Sequence, residues 1–411
     1  MGRKLCCFQA KRSIIIWGLL ILLPQGDAFS DTELSTKSPQ SKKMIFRGVS
    51  FEMPLKFRVL IAKHSRSQKL KIKGESLLVN DLPIFKNSLE CFFQKEWYCF
   101  ASKKLWSLRD GLKISSLHGG LSLNSKKYKG DFFLREHRSQ LEFVNEVGGL
   151  SYIASLLNSE VNATFPQEAL KAQAIAARSY ALATAADRRK SGSFYDLKND
   201  ERDQMYEGSA KEDSLTRKIA EQTQGQLLFH NGEVLKAYYH AANGGFSELP
   251  QRVWGESHYD QGAYESRVSP VDRDHVPFHW KIQMSSAMGS VMKGIGKILD
   301  IKVVKKTQSG RVHQVKFLGS LGAKTLSGRE FRRLFGKRWV KSSYFKIVPS
   351  KNSWTFKGKG FGHGVGMSQL GAKKLAKQGK SSTEILKHYY PNADLHKVYS
   401  LMKSPHEIFA R

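Results

Sequence analysis

Acidic residues are in short supply: 36 Asp and Glu stand against 67 Lys and Arg, a formal net charge of +31 over 411 residues. Such an excess calls for an acidic environment or partner. The bases run from Lys42 to Arg411 rather than in one stripe, which argues against nucleic acid as that partner. Long apolar runs are also missing. The one candidate, Ile14 to Leu23, is well short of the ~18 residues of a membrane-spanning helix, and no later segment is apolar enough to span a bilayer. With Arg3, Lys4, Lys11 and Arg12 before it and a small-residue Gly26-Asp27-Ala28 end after it, residues 1–28 read as a cleaved export signal, with an uncleaved membrane anchor as the alternative.

Cysteine is sparse as well. Of four, Cys6 and Cys7 precede the apolar run, so neither is the lipid-attachment residue of a lipoprotein. Cys91 and Cys99, in CFFQKEWYC, are left. In an exported chain this spacing favours a disulfide across a hairpin, with two unpaired structural thiols as the alternative. No CxxC pair is present, and neither zinc nor an organic cofactor is expected. The glycine-rich GFGHGVGMSQ lacks the spacing and the Lys-Ser/Thr ending of a phosphate loop, so nucleotide binding is not expected either.

What is present is an α+β pattern, with room for two or three domains. Residues 29–43 are a polar, flexible start. Residues 44–127 form a β-rich N-terminal region, with FRVLIAK, KLKIKG, SLLVN and LKISSL as strands. The period then changes. GLSYIASLLNSE, 149–160, places Leu150, Ile153, Leu156 and Leu157 on one helical face. After a short loop, Pro166 opens a second, alanine-rich helix with a narrow face of Leu170, Ala174, Ala177 and Ala181. Asn231-Gly232 marks a hairpin, residues 300–318 a second one around Ser309-Gly310, and FKIVPS and WTFKGKG continue the strands. Two helices close the chain, from Ser368 to Gln378 and after Ser381, whose partner Glu384 completes a capping box.

Three stretches concentrate chemistry: Ser159 to Leu182, with Glu160, Glu168, Lys171 and Arg178; Tyr238 to Glu248; and Gly358 to Ala372, with five glycines around His363. Glycines this dense fit a backbone that approaches a ligand or takes positive φ; a series of tight turns is the alternative. The two glutamates separate on physical grounds. Glu168, in the first turn of a helix, is stabilised as an anion by the macrodipole. Glu160 ends a helix beside Val161 and Phe165, and both influences raise its pKa toward that of a general acid. Spacing alone leaves open an exposed helix-end glutamate.

At these residues the chain resembles the stage II sporulation protein D (SpoIID/LytB-type) family, whose members include lytic transglycosylases of peptidoglycan. The matching text runs in order through YKG (128–130), FVN (143–145), SE (159–160), EALKAQAIAARSYAL (168–182), QMYEG (204–208), TQGQLL (223–228), AYYHAANGGFSE (237–248), VWG (253–255), LSGREFRRLFG (326–336) and GFGHGVGMSQLGA (360–372). The resemblance implies a catalytic domain over 128–395, followed by a tail at 396–411. It implies Glu160 as the catalytic acid/base, with Glu168 second, and Lys171 and Arg178 contributing to the site. Gln204, Tyr206, His240, Glu248, His363, Ser368 and Gln369 lie in family motifs and are expected to line a groove; Asp272 and Asp274 are possible helpers, with a turn role as the alternative. Some relatives hold a metal before QxYxG through cysteine and histidine; DLKNDERDQMYEG has neither.

The implied reaction needs one carboxyl group. It protonates the leaving glycosidic oxygen between N-acetylmuramic acid and N-acetylglucosamine, then takes a proton from the sugar's own 6-hydroxyl, which closes a 1,6-anhydro ring. This differs from the two-carboxylate hydrolase scheme. Implied partners are peptidoglycan strands, preferably stripped of peptide, an amidase acting upstream, and an anionic wall or membrane surface. A non-catalytic, amidase-stimulating wall binder and a water-using glycosidase are the other readings. Two departures flank the site: Ser151 stands before Tyr152 where an acid is usual, and Val161-Asn162 replaces Met-Pro.

Overall fold

A computed structural model describes residues 43–46, 49–52, 55–161, 164–255, 261–272, 278–292 and 294–398. The export signal expected at 1–28, most of the polar segment after it, Asn162, Asp274 and the tail beyond 398 lie outside the described residues. The fold is α+β: among the described residues there are seven α-helices and several mainly antiparallel sheets. Among the described residues no helix is long and apolar enough to cross a membrane.

The largest sheet has eleven strands. Its main path begins at the short strand Leu197–Lys198 and passes through Lys56–His64, Gln140–Gly148, Asp131–His137, Leu112–Leu123 and Leu70–Val79. It ends in Ser88–Gln94, Glu96–Ala101 and Lys104–Ser107. Alternation along the strands turns Phe57, Val59, Ile72, Leu89, Ile114, Phe132 and Phe143 into one core. The expected KLKIKG and SLLVN strands are one, Leu70–Val79, irregular at Lys73/Glu75. Cys91 and Cys99 sit directly opposite each other in the hairpin of Ser88–Gln94 and Glu96–Ala101 and are joined by a disulfide. The sheet takes strands from both sides of residue 128, so hydrogen bonding does not break there.

Helix α1 (Gly149–Glu160) leaves this sheet directly and buries Tyr152, Ile153, Leu156 and Leu157 against it. Each such side chain contributes roughly 1.5–3 kcal/mol of hydrophobic stabilisation. Helix α2 (Gln167–Lys190) is buried along nearly its whole length, and its alanines explain how. Leu170, Ala174, Ala177 and Ala181 face the first core. Ala169, Ala172, Ile175, Ala176 and Tyr180 face a second one. Small side chains let both layers approach one axis.

The second core is closed by α3 to α7 only in part. Helix α3 (Ser214–Gln222) packs on α1 and α2, whereas α4 (Pro250–Trp254) borders the second core through Val253 and Trp254. Helix α5 (Gly328–Leu334) belongs to a third core, formed by the sheets His279–Ser285/Ser353–Lys359/Phe345–Ser350 and Ile298–Lys306/Val312–Gly319/Gly322–Ser327. Helices α6 (Gln369–Lys377) and α7 (Ser382–Tyr389) return the chain to α2. The turn signals hold: Asn231 and Gly232 take φ of 50° and 77° between paired strands, and Ser381 and Glu384 form the capping box of α7.

Candidate active site

Helix α1 stops at Glu160 because Val161 leaves the helix with extended backbone (φ −133°, ψ 153°) and drops its side chain into the first core. No basic residue lies in the last turn to compensate the dipole. The Glu160 side chain is half-buried and lines an open cleft of about 540 Å³, with Asn158, Lys211, Glu212 and Asp213 among its other walls. Burial is the chief influence on this carboxyl and pushes its pKa up to about 7; hydrogen bonds from the Met205 N–H and the Tyr239 hydroxyl pull the other way. The Met205 N–H donates to Glu160 Oε1 at 2.7 Å.

Behind the carboxyl lies a continuous hydrogen-bonded chain. The Tyr152 hydroxyl donates to Gln204 Oε1 (2.8 Å), and Gln204 Nε2 donates to the Tyr239 hydroxyl (3.0 Å), which donates in turn to Glu160. Gln204 Nε2 also donates to the Ala177 carbonyl of α2 at 3.0 Å, which fixes the orientation of the amide. Burial holds both tyrosines far above the usual phenol range, so each keeps its proton. Glu160 therefore has neutral partners and stands at a pKa from which a proton can be both given and taken near neutral pH.

The structure places Gln204 buried behind Glu160, linked to it through the Tyr239 hydroxyl, and adds Tyr239 and Tyr152, which sequence reasoning missed. Tyr239 sat inside the AYYHAANGG stretch, but two adjacent tyrosines give no sign of which one faces the acid. In the short strand Tyr239–His240, paired in parallel with Met367–Ser368, successive side chains point to opposite sides. His240 is thus turned away from the chain of hydroxyls. Its Nδ1 lies 3.0 Å from the Val365 carbonyl and its ring 5.2 Å from that of His363. Burial, then the neighbouring charges of Arg332 and Arg311, push His363 down to about 3. Both histidines are neutral, and His363 also packs against the rings of Trp254 and Tyr238.

Several other expected site residues hold the fold. Arg178 is buried and directs its guanidinium to the carbonyls of Ala220 and Thr223 at the end of α3 and of Gln226 at the start of the next strand, so it is not placed to bind substrate. Lys171 donates to Glu168 at 2.7 Å. Glu168 also accepts the Ser382 N–H at 2.7 Å, and so caps α7 rather than its own helix. Burial works against the Glu168 anion, but Lys171 and Ser382 win and lower its pKa. The Tyr206 hydroxyl donates to Asn145 (2.9 Å) inside the first core. Glu248 accepts from Thr307 (2.5 Å) and Ser309 (2.7 Å), pinning the 298–319 hairpin. Ser368 caps α6, and Gln369 is its buried first residue. Asp272 is buried among Asn243, Ser269 and Tyr389.

The glycines around His363 answer to the chain itself. A Cβ on Gly366 would lie 2.0 Å from the Tyr238 carbonyl oxygen, and one on Gly364 2.3 Å from the Arg311 guanidinium. The loop is packed against the protein at the very positions where a ligand-cradling backbone was one of two readings. One spaced histidine pair occurs, His275 and His279; His279 is exposed on a strand, and His275 lies outside the described residues.

The profile of the family described as Stage II sporulation protein (SpoIID) matches residues 137–230, a span that holds Tyr152, Glu160 and Gln204. That match, with about 29% identity to stage II sporulation protein D over most of the chain, supports assignment to the stage II sporulation protein D family. It is 29% identical over 276 residues to stage II sporulation protein D of Bacillus subtilis, covering 63% of this chain and 77% of that one. It is 30% identical over 338 residues to the amidase enhancer of the same organism, covering 70% of this chain but only 47% of that longer protein. An uncharacterized protein of Brachyspira hyodysenteriae is 28% identical over 277 residues, 67% of this chain and 74% of its own length. A domain of unknown function, DUF8618, matches residues 278–366, the stretch built around the third core.

Proposed function

We propose that this chain is an exported lytic transglycosylase that cleaves the glycan backbone of peptidoglycan and leaves 1,6-anhydro-N-acetylmuramic acid ends. The observation that carries the reading is the cleft-lining Glu160, its pKa raised to about 7 and its carboxyl held by Met205 and Tyr239; the Glu212 that shares the cleft is paired with Lys129 and Arg217. Oε1 is engaged by the Met205 N–H. The protonated carboxyl donates to the glycosidic oxygen as the bond to the anomeric carbon breaks. The resulting carboxylate, stabilised by the Met205 N–H and Tyr239 hydroxyl, accepts the proton of the sugar's 6-hydroxyl. That oxygen then closes the ring on the anomeric carbon, and no water is consumed. The hydrogen-bonded chain through Gln204 and Tyr152 keeps the carboxyl in place for both transfers.

Peptidoglycan strands stripped of peptide are the proposed substrate, with an amidase acting upstream to supply them. Digestion of purified peptidoglycan, with and without prior amidase treatment, followed by mass analysis, tests this. Anhydro-ended fragments are expected, with Glu160→Gln reducing their formation at least 10³-fold, on the order of a lost general acid. Absence of anhydro ends under every condition, or full activity of Glu160→Gln, sinks the reading. Reducing ends in their place would mean a water-using glycosidase. The identity to the amidase enhancer favours one second reading, a wall-binding protein that stimulates an amidase. It predicts that Glu160→Gln leaves amidase stimulation intact.

A further inference from the structure

The bases of this chain are spread along it, but the acids are not. Residues 278–366 hold 19 Lys and Arg and only two acids, Asp300 and Glu330. Glu330 is spent on the capping box of α5, and Asp300 pairs with Lys302 at 2.9 Å. The excess positive charge of this stretch therefore has almost nothing within it to compensate it.

The sheet register arranges part of that charge. Lys281 lies directly opposite Lys357, and Lys357 directly opposite Lys346, so three lysines form one row across three adjacent strands. All three are exposed, and their neighbours Trp280, Phe356 and Phe345 point inward to the third core. The row thus stands on the outer face of the sheet, on strands about 5 Å apart. Like charges directly opposite destabilise a sheet, and nothing in the core needs lysine there. The next outward row, Gln283, Thr355 and Val348, carries no aromatic side chain and one apolar one, Val348.

We propose that this face, Lys281–Lys357–Lys346, is a docking surface for a linear polyanion whose phosphodiester groups lie across the strands. It would hold the enzyme on an anionic polymer while the Glu160 cleft works elsewhere on the molecule. The inference rests on charge and register alone, so it stands or falls independently of the glycan chemistry.

The test measures binding of the full chain to a linear poly(glycerol phosphate) at several salt concentrations, beside anionic phosphatidylglycerol vesicles and single-stranded DNA. The variant replaces Lys281, Lys346 and Lys357 with Gln; a control of equal net charge replaces the exposed Lys69, Lys103 and Lys126 with Gln. Expected are at least tenfold weaker polymer binding for the row variant, a shallower salt dependence, and at most a twofold loss for the control. An unchanged melting temperature or a raised one shows that the row variant is folded. Equal losses in both variants would mean diffuse charge, not a built row, and would overturn the proposal. So would a row variant that binds the polymer as tightly as the parent, or a parent that binds only vesicles or only DNA.

Discussion

Tyr239 is where the candidate site turns on one atom. Its hydroxyl donates to Glu160 and accepts from Gln204, so its loss removes a bond that favours the carboxylate and takes away one of the three hydrogen bonds that hold the Gln204 amide. With Glu160 at about 7, the protonated fraction needed for the first step falls as pH rises through that value. Activity should therefore decline above about pH 7 by a factor approaching ten per unit. Tyr239→Phe should move this decline to higher pH, because the carboxylate has lost a donor, while kcat falls about tenfold, the ~1.4 kcal/mol of one hydrogen bond. A pH–rate profile of kcat/KM for both proteins checks this; an unmoved decline would remove Tyr239 from the site. The direction of the Glu160 shift was legible in the sequence, since a helix end beside Val161 and Phe165 points to a raised pKa, whereas its choice as the candidate acid came from the family resemblance. Its tyrosine was not, because the contact joins residues 79 positions apart through a two-residue strand that no periodicity announces.

At the scale of elements, α2 shows what a motif can hide. Its sequence reads as a helix from end to end, and its first narrow alanine face is where the period puts it. The second face, and with it the burial of Arg178, depends on the third dimension. A cation in a family motif beside the candidate acid reads as a ligand of substrate. The structure instead gives its guanidinium to the last carbonyls of α3, groups that every helix leaves unpaired. Arg178→Met should consequently cost about 3 kcal/mol or more, since several buried acceptors lose their donor together. The melting temperature should drop, while KM for glycan per folded molecule stays within about twofold. A selective rise in KM with unchanged stability would return Arg178 to the substrate.

On the scale of the whole molecule, the question is what counts as the catalytic unit. A resemblance that starts near Tyr128 invites cutting the chain there, and the α+β composition fits either side of the cut. The strand register argues otherwise. Lys56–His64 is hydrogen-bonded to Gln140–Gly148 on one edge and to Leu197–Lys198 on the other. Its Phe57 packs 5.2 Å from the ring of Tyr152, the residue that begins the hydrogen-bonded chain to Glu160. A protein starting at residue 128 would bare the edge of Gln140–Gly148, an invitation to intermolecular pairing. It would also open a cavity beside Tyr152 worth ~3–5 kcal/mol for a lost buried Phe alone. Residues 128–398 expressed without the preceding strands should aggregate or remain unfolded by circular dichroism, whereas residues 43–398 should fold. If the shorter piece instead folds and cleaves glycan at the rate of the longer one, the strand Lys56–His64 is an accessory, and the hydroxyl chain behind Glu160 assembles without it.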